Sequence, residues 1–170
     1  GEGVYVHNQT YLTLEEFDKI IDRHHGSIHL VPCNFKSQKY FHDRKLNVCV
    51  NMNHGPNSAV DRGMGEPISP EDMKKKVREF NASGLMQNGE DGFICNCDGL
   101  CCFPMQMAYK AGPRLIYPES NWKIDWHEDE CVNCGKCTKI CNFGAFYKDD
   151  NRKVHYDVDK CWGCTICAPN

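Results

Sequence analysis

Thirteen of the 170 residues are cysteines, and seven of them fall within the last forty positions. The run reads Cys131-Val-Asn-Cys134-Gly-Lys-Cys137-Thr-Lys-Ile-Cys141 and, nineteen residues later, Cys161-Trp-Gly-Cys164-Thr-Ile-Cys167. Cysteines at i, i+3 and i+6 let one tight loop wrap three thiolates around a single iron–sulfur cubane, and a fourth cysteine four residues on points away toward a second. Zinc sites usually draw on two separated Cys-x2-Cys pairs. An odd number of cysteines also cannot pair completely as disulfides within one monomer. The spacing predicts iron–sulfur chemistry, with two clusters.

The segment from about residue 122 to residue 170 resembles the bacterial-type dicluster ferredoxins, in which two Cys-x2-Cys-x2-Cys-x3-Cys halves fold as pseudo-twofold repeats. The resemblance implies that Cys131, Cys134 and Cys137 hold a first [4Fe-4S] cluster. It implies that Cys161, Cys164 and Cys167 hold a second, with Cys141 crossing over as its fourth ligand. Asn142 to Tyr147, the polar Asp149-Asp150-Asn151 and Lys153 to Asp159 are similar to that family's strand, turn and strand. Two positions depart from the pattern. Asn142 stands where the family usually has proline, and the fourth cysteine of the first cluster would fall one residue beyond Asn170. The latter leads us to expect a fragment of a longer chain.

Six cysteines lie upstream: Cys33, Cys49, Cys95, Cys97, Cys101 and Cys102. Four thiols within the eight residues 95–102, and two more at predicted strands, can converge on one soft-metal site. The candidates are a third iron–sulfur cluster, a structural zinc ion, or a redox-active vicinal pair at Cys101 and Cys102 beside inert buried thiols. Spacing alone does not select four ligands from six. The order Val-Pro-Cys33, Val-Cys49, Gly63-Met-Gly65-Glu-Pro-Ile-Ser69, Gly84-Leu-Met and Phe-Ile-Cys95-Asn-Cys97 is similar to a group of anaerobe ferredoxin-domain proteins. These carry a cysteine-rich N-terminal domain before the dicluster module. Phe35 and Asp98 stand where that group often has further cysteines.

Positioning these thiols requires regular elements. Thr13-Leu-Glu-Glu16 is a capping box, followed by Leu14, Phe17, Ile20 and Ile21 at helical spacing, which predicts a helix closed by Gly26. His24 and His25 then fall in its last turn, where cations suit the negative helix end; a ligand or proton-donor role is the alternative. Strands are expected at Ser27–Val31, at Leu46–Met52 and at Gly92 running into Cys97. Ser69-Pro70-Glu-Asp72 opens a second helix with a stripe of Met73, Val77 and Phe80, ended by Gly84. The basic run Lys74-Lys75-Lys76 reads as its solvated face, or as a dock for an acidic redox partner. Pro104 starts a helix over Met105–Lys110. Trp122 to Trp126 alternates like a strand, its tryptophans serving as packing residues, and Leu115-Ile-Tyr117 could complete the N-terminal sheet. Gly135 and Gly163 let the backbone pass close to a cluster, and Ile140, Phe143, Phe146, Trp162 and Ile166 are placed to exclude water.

The fold class expected is α+β: a small mixed, cysteine-rich domain over residues 1–117 and a dicluster ferredoxin module over 118–170, divided near Pro118. A net charge of −3 with dispersed Lys and Arg gives no nucleic-acid footprint. A mean hydropathy of −0.60 without a long apolar run gives no spanning helix. Asp61-Arg-Gly-Met-Gly65 lacks the pattern of a phosphate loop. Many thiols suggest a reducing, anaerobic cytoplasm. These features point to an electron carrier, or an electron-transfer subunit, working with a redox protein or flavoenzyme. The rivals are a redox enzyme with a substrate-binding metal or cluster in the N-terminal domain, and a zinc-bearing docking subunit.

Overall fold

The structure, a computed structural model, describes residues 11–33, 47–52, 54–99, 102–111 and 120–170. Cys101, Phe35, the segment Leu115–Tyr117 and the boundary near Pro118 lie outside the described residues. The elements are mixed α and β. In chain order they are α1 (Leu14–Arg23), β1 (Ile28–Pro32), β2 (Asn47–Asn51), β3 (Glu66–Ile68), α2 (Pro70–Ala82), β4 (Met86–Glu90), β5 (Phe93–Cys97), α3 (Phe103–Ala111), α4 (Lys136–Ile140), β6 (Phe146–Lys148) and β7 (Val154–Tyr156), then a 3-10 turn at Val158–Lys160. Among the described residues, no helix is long and apolar enough to cross a membrane.

Local chemistry explains where the helices begin. The Glu16 amide donates to the Thr13 hydroxyl at 3.1 Å and the Thr13 amide donates to the Glu16 carboxylate at 2.9 Å, so the capping box closes both ways. Ser69 caps α2 by accepting from the Asp72 amide at 3.1 Å, with Pro70 at the first position. The end of α1 differs from expectation. The helix stops at Arg23, His24 is its extended C-cap, and His25 lies beyond. The apolar stripe ends at Ile21, so another turn would bury nothing, and neither histidine occupies the last helical turn. Each cation of the basic run has an acid partner: Lys74 pairs with Asp22, Lys75 with Asp72 and Lys76 with Glu79. The run is a solvated, internally balanced face of modest energetic weight.

Five strands make one antiparallel sheet in the order β3-β1-β2-β5-β4, and β6 with β7 make a separate hairpin. β6 and β7 fulfil the expected strand, turn and strand. Strand alternation gives the larger sheet two unlike faces. Val48, Val50 and Ile94 pack with Phe17, Ile20 and Ile21 of α1 and with Met73, Val77 and Phe80 of α2. Burying each large side chain here stabilises by about 1.5–3 kcal/mol. The opposite face carries Met86 and Cys97, which form a second core with Tyr11, Cys102, Met105, Ala108, Cys164 and Ile166. The C-terminal loop therefore completes a core begun by the sheet. No strand forms over Trp122–Trp126, against the expectation. Trp126 instead sets its ring edge-on to Phe146 and Tyr156 at 6.0 and 6.2 Å, and the Trp122 indole donates to Glu16 at 3.1 Å.

A chain of side-chain amides runs into the sheet, buried at Asn81, Gln87 and Asn96. Asn170 donates to Asn81, Asn81 to Gln87, and Gln87 to Asn96 at 2.9 Å; Asn96 donates to the Val48 carbonyl at 2.6 Å. Gln87 and Asn96 are fully buried. Removing one member leaves its neighbours unpaired in a low-dielectric core. Gln87→Leu is expected to destabilise the chain by about 2–4 kcal/mol, read as a lower urea midpoint with unchanged slope.

Candidate functional site

The two C-terminal cysteine runs share a backbone geometry. In the first, Asn133 (φ 55°) and Gly135 (φ 78°) flank Cys134 in left-handed conformations. In the second, Gly163 (φ 65°) and Thr165 (φ 62°) flank Cys164. The left-handed pairs sit at identical offsets within the two runs, thirty residues apart. Successive reversals of backbone hand aim consecutive N–H groups into one concavity, which suits a negatively charged thiolate cluster. One such contact is formed: the Gly163 amide meets the Cys161 sulfur at 3.4 Å.

Each loop is fastened by a side chain from one of these positions. Asn133 accepts from the Val154 amide at 2.7 Å and its carbonyl accepts from Lys148 at 3.2 Å, which ties the first loop to the β6–β7 hairpin. Thr165 donates to the Leu12 carbonyl at 3.3 Å, and Ser120 donates to the Gly163 carbonyl at 2.7 Å, which ties the second loop to the N-terminal residues and the connecting segment. Neither Asn133 nor Thr165 was singled out from sequence. Each occupies the position that glycine holds in the other run, Asn133 matching Gly163 and Thr165 matching Gly135, and that alignment is the signal that could have found them.

The thiols fall into groups. Burial pushes the Cys137 thiol up, and Cys131 and Cys134 are close enough to add to the shift. Burial pushes Cys164 and Cys167 each up to about 12, with Cys141 and Cys161 close enough to oppose their ionisation. Cys137 of the first run is also close enough to Cys167 to add to its shift, so the two runs approach each other around Cys141 and Cys167. Thiols that resist one another's ionisation form a site that bound positive charge would relieve. The donor set is all sulfur, with an amide already directed at one sulfur, and it fits an iron–sulfur cluster. Of the water-excluding residues expected, Phe146 and Ile166 are buried, and Phe143 stacks on Trp162 at 4.4 Å and 17°.

The two loops differ in setting. Cys134 and Val132 are exposed, Val132 to 84%, while Cys164 and Ile166 are buried. Asn142, the residue that departs from the proline pattern, is the clamp between the halves. Its side-chain amide donates to the Gly84 carbonyl at 3.1 Å, its side-chain oxygen accepts from the Gly99 amide at 3.2 Å, and its carbonyl accepts from the Tyr109 hydroxyl at 3.1 Å. Proline could make neither side-chain contact.

Among the upstream cysteines, Cys49, Cys95, Cys97 and Cys102 come together. Cys95 is in hydrogen-bonding contact with Cys49 and with Cys97, and Cys97 with Cys102. Cys33, just past the end of β1, and Cys49 are both buried in the core shared with α1 and α2, and Cys49 reaches Cys95 from it. None of the described cysteines forms a disulfide.

An uncharacterized ferredoxin of Methanocaldococcus jannaschii is 40% identical over 43 residues, 24% of this chain and 56% of the relative. A selenate reductase subunit of Mesobacillus selenatarsenatis is 46% identical over 39 residues, 22% of this chain and 13% of the relative. An archaeal-type glutamate synthase (NADPH) of Thermotoga maritima is 31% identical over 55 residues, 32% of this chain and 10% of the relative. The matches thus span from about one tenth to just over half the length of these relatives. No protein-family model matches the chain, and no solved structure matches it. The similarity supports a ferredoxin-like iron–sulfur module and an electron-transfer role.

Gly163 has two reasons to be glycine: its positive φ, and a Cβ that would lie 2.3 Å from the Trp122 carbonyl oxygen. Gly163→Ala is expected to displace the second loop and lower iron bound per chain. Gly144→Ala shares the strained hand but meets nothing within 4 Å, and should keep its iron. Iron analysis of both variants checks the contrast.

Proposed function

We propose that this chain is an electron-transfer protein, or the electron-transfer part of a redox complex, that passes single electrons through two [4Fe-4S] clusters. Cys131, Cys134 and Cys137 bind the first cluster. Cys141, Cys161, Cys164 and Cys167 bind the second. The observation that carries this reading is the repeated left-handed pair around Cys134 and around Cys164, because it gives two separate cysteine runs the same inward-facing backbone. The nearness of Cys141 to Cys164 and Cys167 supports the dicluster crossover.

A four-iron cluster supplies a one-electron couple whose potential depends on its charge, its hydrogen bonds and its exposure to solvent. The protein's own residues set those conditions. Gly163 directs its amide at the Cys161 sulfur, and Phe143, Trp162 and Ile166 keep water from the second loop. Lys148 and Lys153 bring positive charge near the first loop, through the Asn133 carbonyl and the Glu128 carboxylate. The exposed Val132–Cys134 turn is where a redox protein or flavoenzyme would dock. The reduced thiols suit an anaerobic, cytoplasmic setting.

Cys141→Ser tests the assignment. Electron paramagnetic resonance of the dithionite-reduced protein should show loss or conversion of the second cluster, with the first cluster's signal intact. Selective loss of the first cluster would reverse the assignment. Wild-type protein that binds no iron after anaerobic reconstitution would end the electron-transfer reading altogether.

A further inference from the structure

Sheet register assembles a second set of thiols. β2 and β5 pair Val50 with Ile94 and Asn51 with Phe93. Continued by one residue, that register sets Cys49 opposite Cys95. Cys97 follows on the same face two residues on. Cys102, just before α3, joins Cys97 in the second core. Contacts among the four sulfurs agree with this placement.

A separate feature points into the same region. Asn88 lies opposite Cys95 across the β4–β5 pair, and directly paired residues in an antiparallel ladder project to the same face. Its side chain is completely buried, yet among the described residues neither its amide nitrogen nor its oxygen has a hydrogen-bond partner. Leaving such a group unpaired is costly, so a buried orphan amide beside four thiols marks a missing ligand.

We propose that Cys49, Cys95, Cys97 and Cys102 bind a third iron–sulfur cluster, and that the Asn88 amide donates a hydrogen bond to one of its sulfurs. The four sulfurs gather at one point of the sheet face, and the buried Asn88 amide opposite Cys95 offers the N–H donor that cluster sulfur accepts. Position gives this centre its role. Cys97 and Cys102 pack in one core with Cys164 of the second loop. Tyr109 lies near both sets: Cys164, Cys141 and Cys102 are all close enough to oppose its ionisation, and its ring meets Trp162 at 5.5 Å. The third centre is therefore the inner end of a line that runs through the second cluster to the exposed first loop. That role rests on the electron-transfer reading, whereas binding at the four thiols does not.

The test uses the full chain, purified and reconstituted anaerobically with ferrous iron and sulfide. A Cys95→Ser/Cys97→Ser variant should lose about 4 iron per chain, the content of one four-iron cluster, and keep the reduced signals of the C-terminal clusters. Cys33→Ala, a buried thiol outside the set, should lose none. Cys161→Ser/Cys167→Ser should retain the iron held by the upstream four. Asn88→Leu should bind the same iron but lower the midpoint potential of one cluster, because the reduced state loses an N–H···S bond. Stoichiometric zinc in the wild-type protein, or full iron retention in the Cys95/Cys97 variant, overturns the third cluster. An unchanged potential in Asn88→Leu overturns the role given to Asn88. If the C-terminal variants alone retain all their iron, the two-cluster reading fails and this one stands.

Discussion

A sheet with two apolar faces needs cover on both, and this chain finds the two covers in unlike places. α1 and α2 cover one face with Phe17, Ile21, Met73 and Phe80. The other is covered by α3 together with a loop from the far end of the chain, through Met105, Ala108, Cys164 and Ile166. The second cover includes a candidate cluster ligand. Cys164 is thus a core residue and a candidate ligand at once, and the loop that holds it cannot shift without opening the sheet. Asn142, Thr165 and Asn170 reinforce the arrangement, since each bonds to backbone or side chain upstream of Gly99.

That constraint breaks the symmetry of the cysteine repeat. Both loops use the same left-handed pair, but only the second is pressed against a sheet. The first is held by Asn133 and Lys148 to a two-stranded hairpin and leaves Val132 and Cys134 in solvent. Burial disfavours net charge and exposure tolerates it, so equal clusters in these loops would have unequal potentials. The two halves of the repeat differ because one of them completes a neighbouring core.

The elements were legible where a single local rule decides them. The Thr13–Glu16 capping box, the Ser69-Pro70 start and the β6–β7 hairpin follow from side chains within a few residues of each other. β4 was not legible. Met86-Gln-Asn-Gly-Glu90 has little intrinsic strand preference, and it is a strand because Gln87 bonds to Asn96 and Asn81 inside the core. Trp122–Trp126 failed in the opposite direction. It alternates as a strand would, yet among the described residues no partner strand lies beside it, and its aromatic rings find Phe146, Tyr156 and Glu16 instead. The C-terminal cysteines are nameable from sequence as candidate ligands because their spacing is local. Which of the six upstream cysteines meet is not, since Cys49 reaches Cys95 only through the β2–β5 register.

Under the proposed cluster assignment, folding and cluster binding are one equilibrium on the C-terminal side of the sheet. Cys164 and Cys167 sit where burial and neighbouring thiols hold their ionisation up to about 12. Without a metal to receive the thiolates, the loop must keep its sulfurs protonated in an apolar setting. Binding relieves this, releases protons, and contributes its free energy to the fold, because an unfolded chain offers no such preformed site. The contribution reaches the sheet directly, since Cys164 shares a core with Met86 and Cys97. The first loop has no such connection and touches mainly its own hairpin. Loss of the first cluster should therefore be local, whereas loss of the second should loosen the whole thiol-bearing face of the sheet.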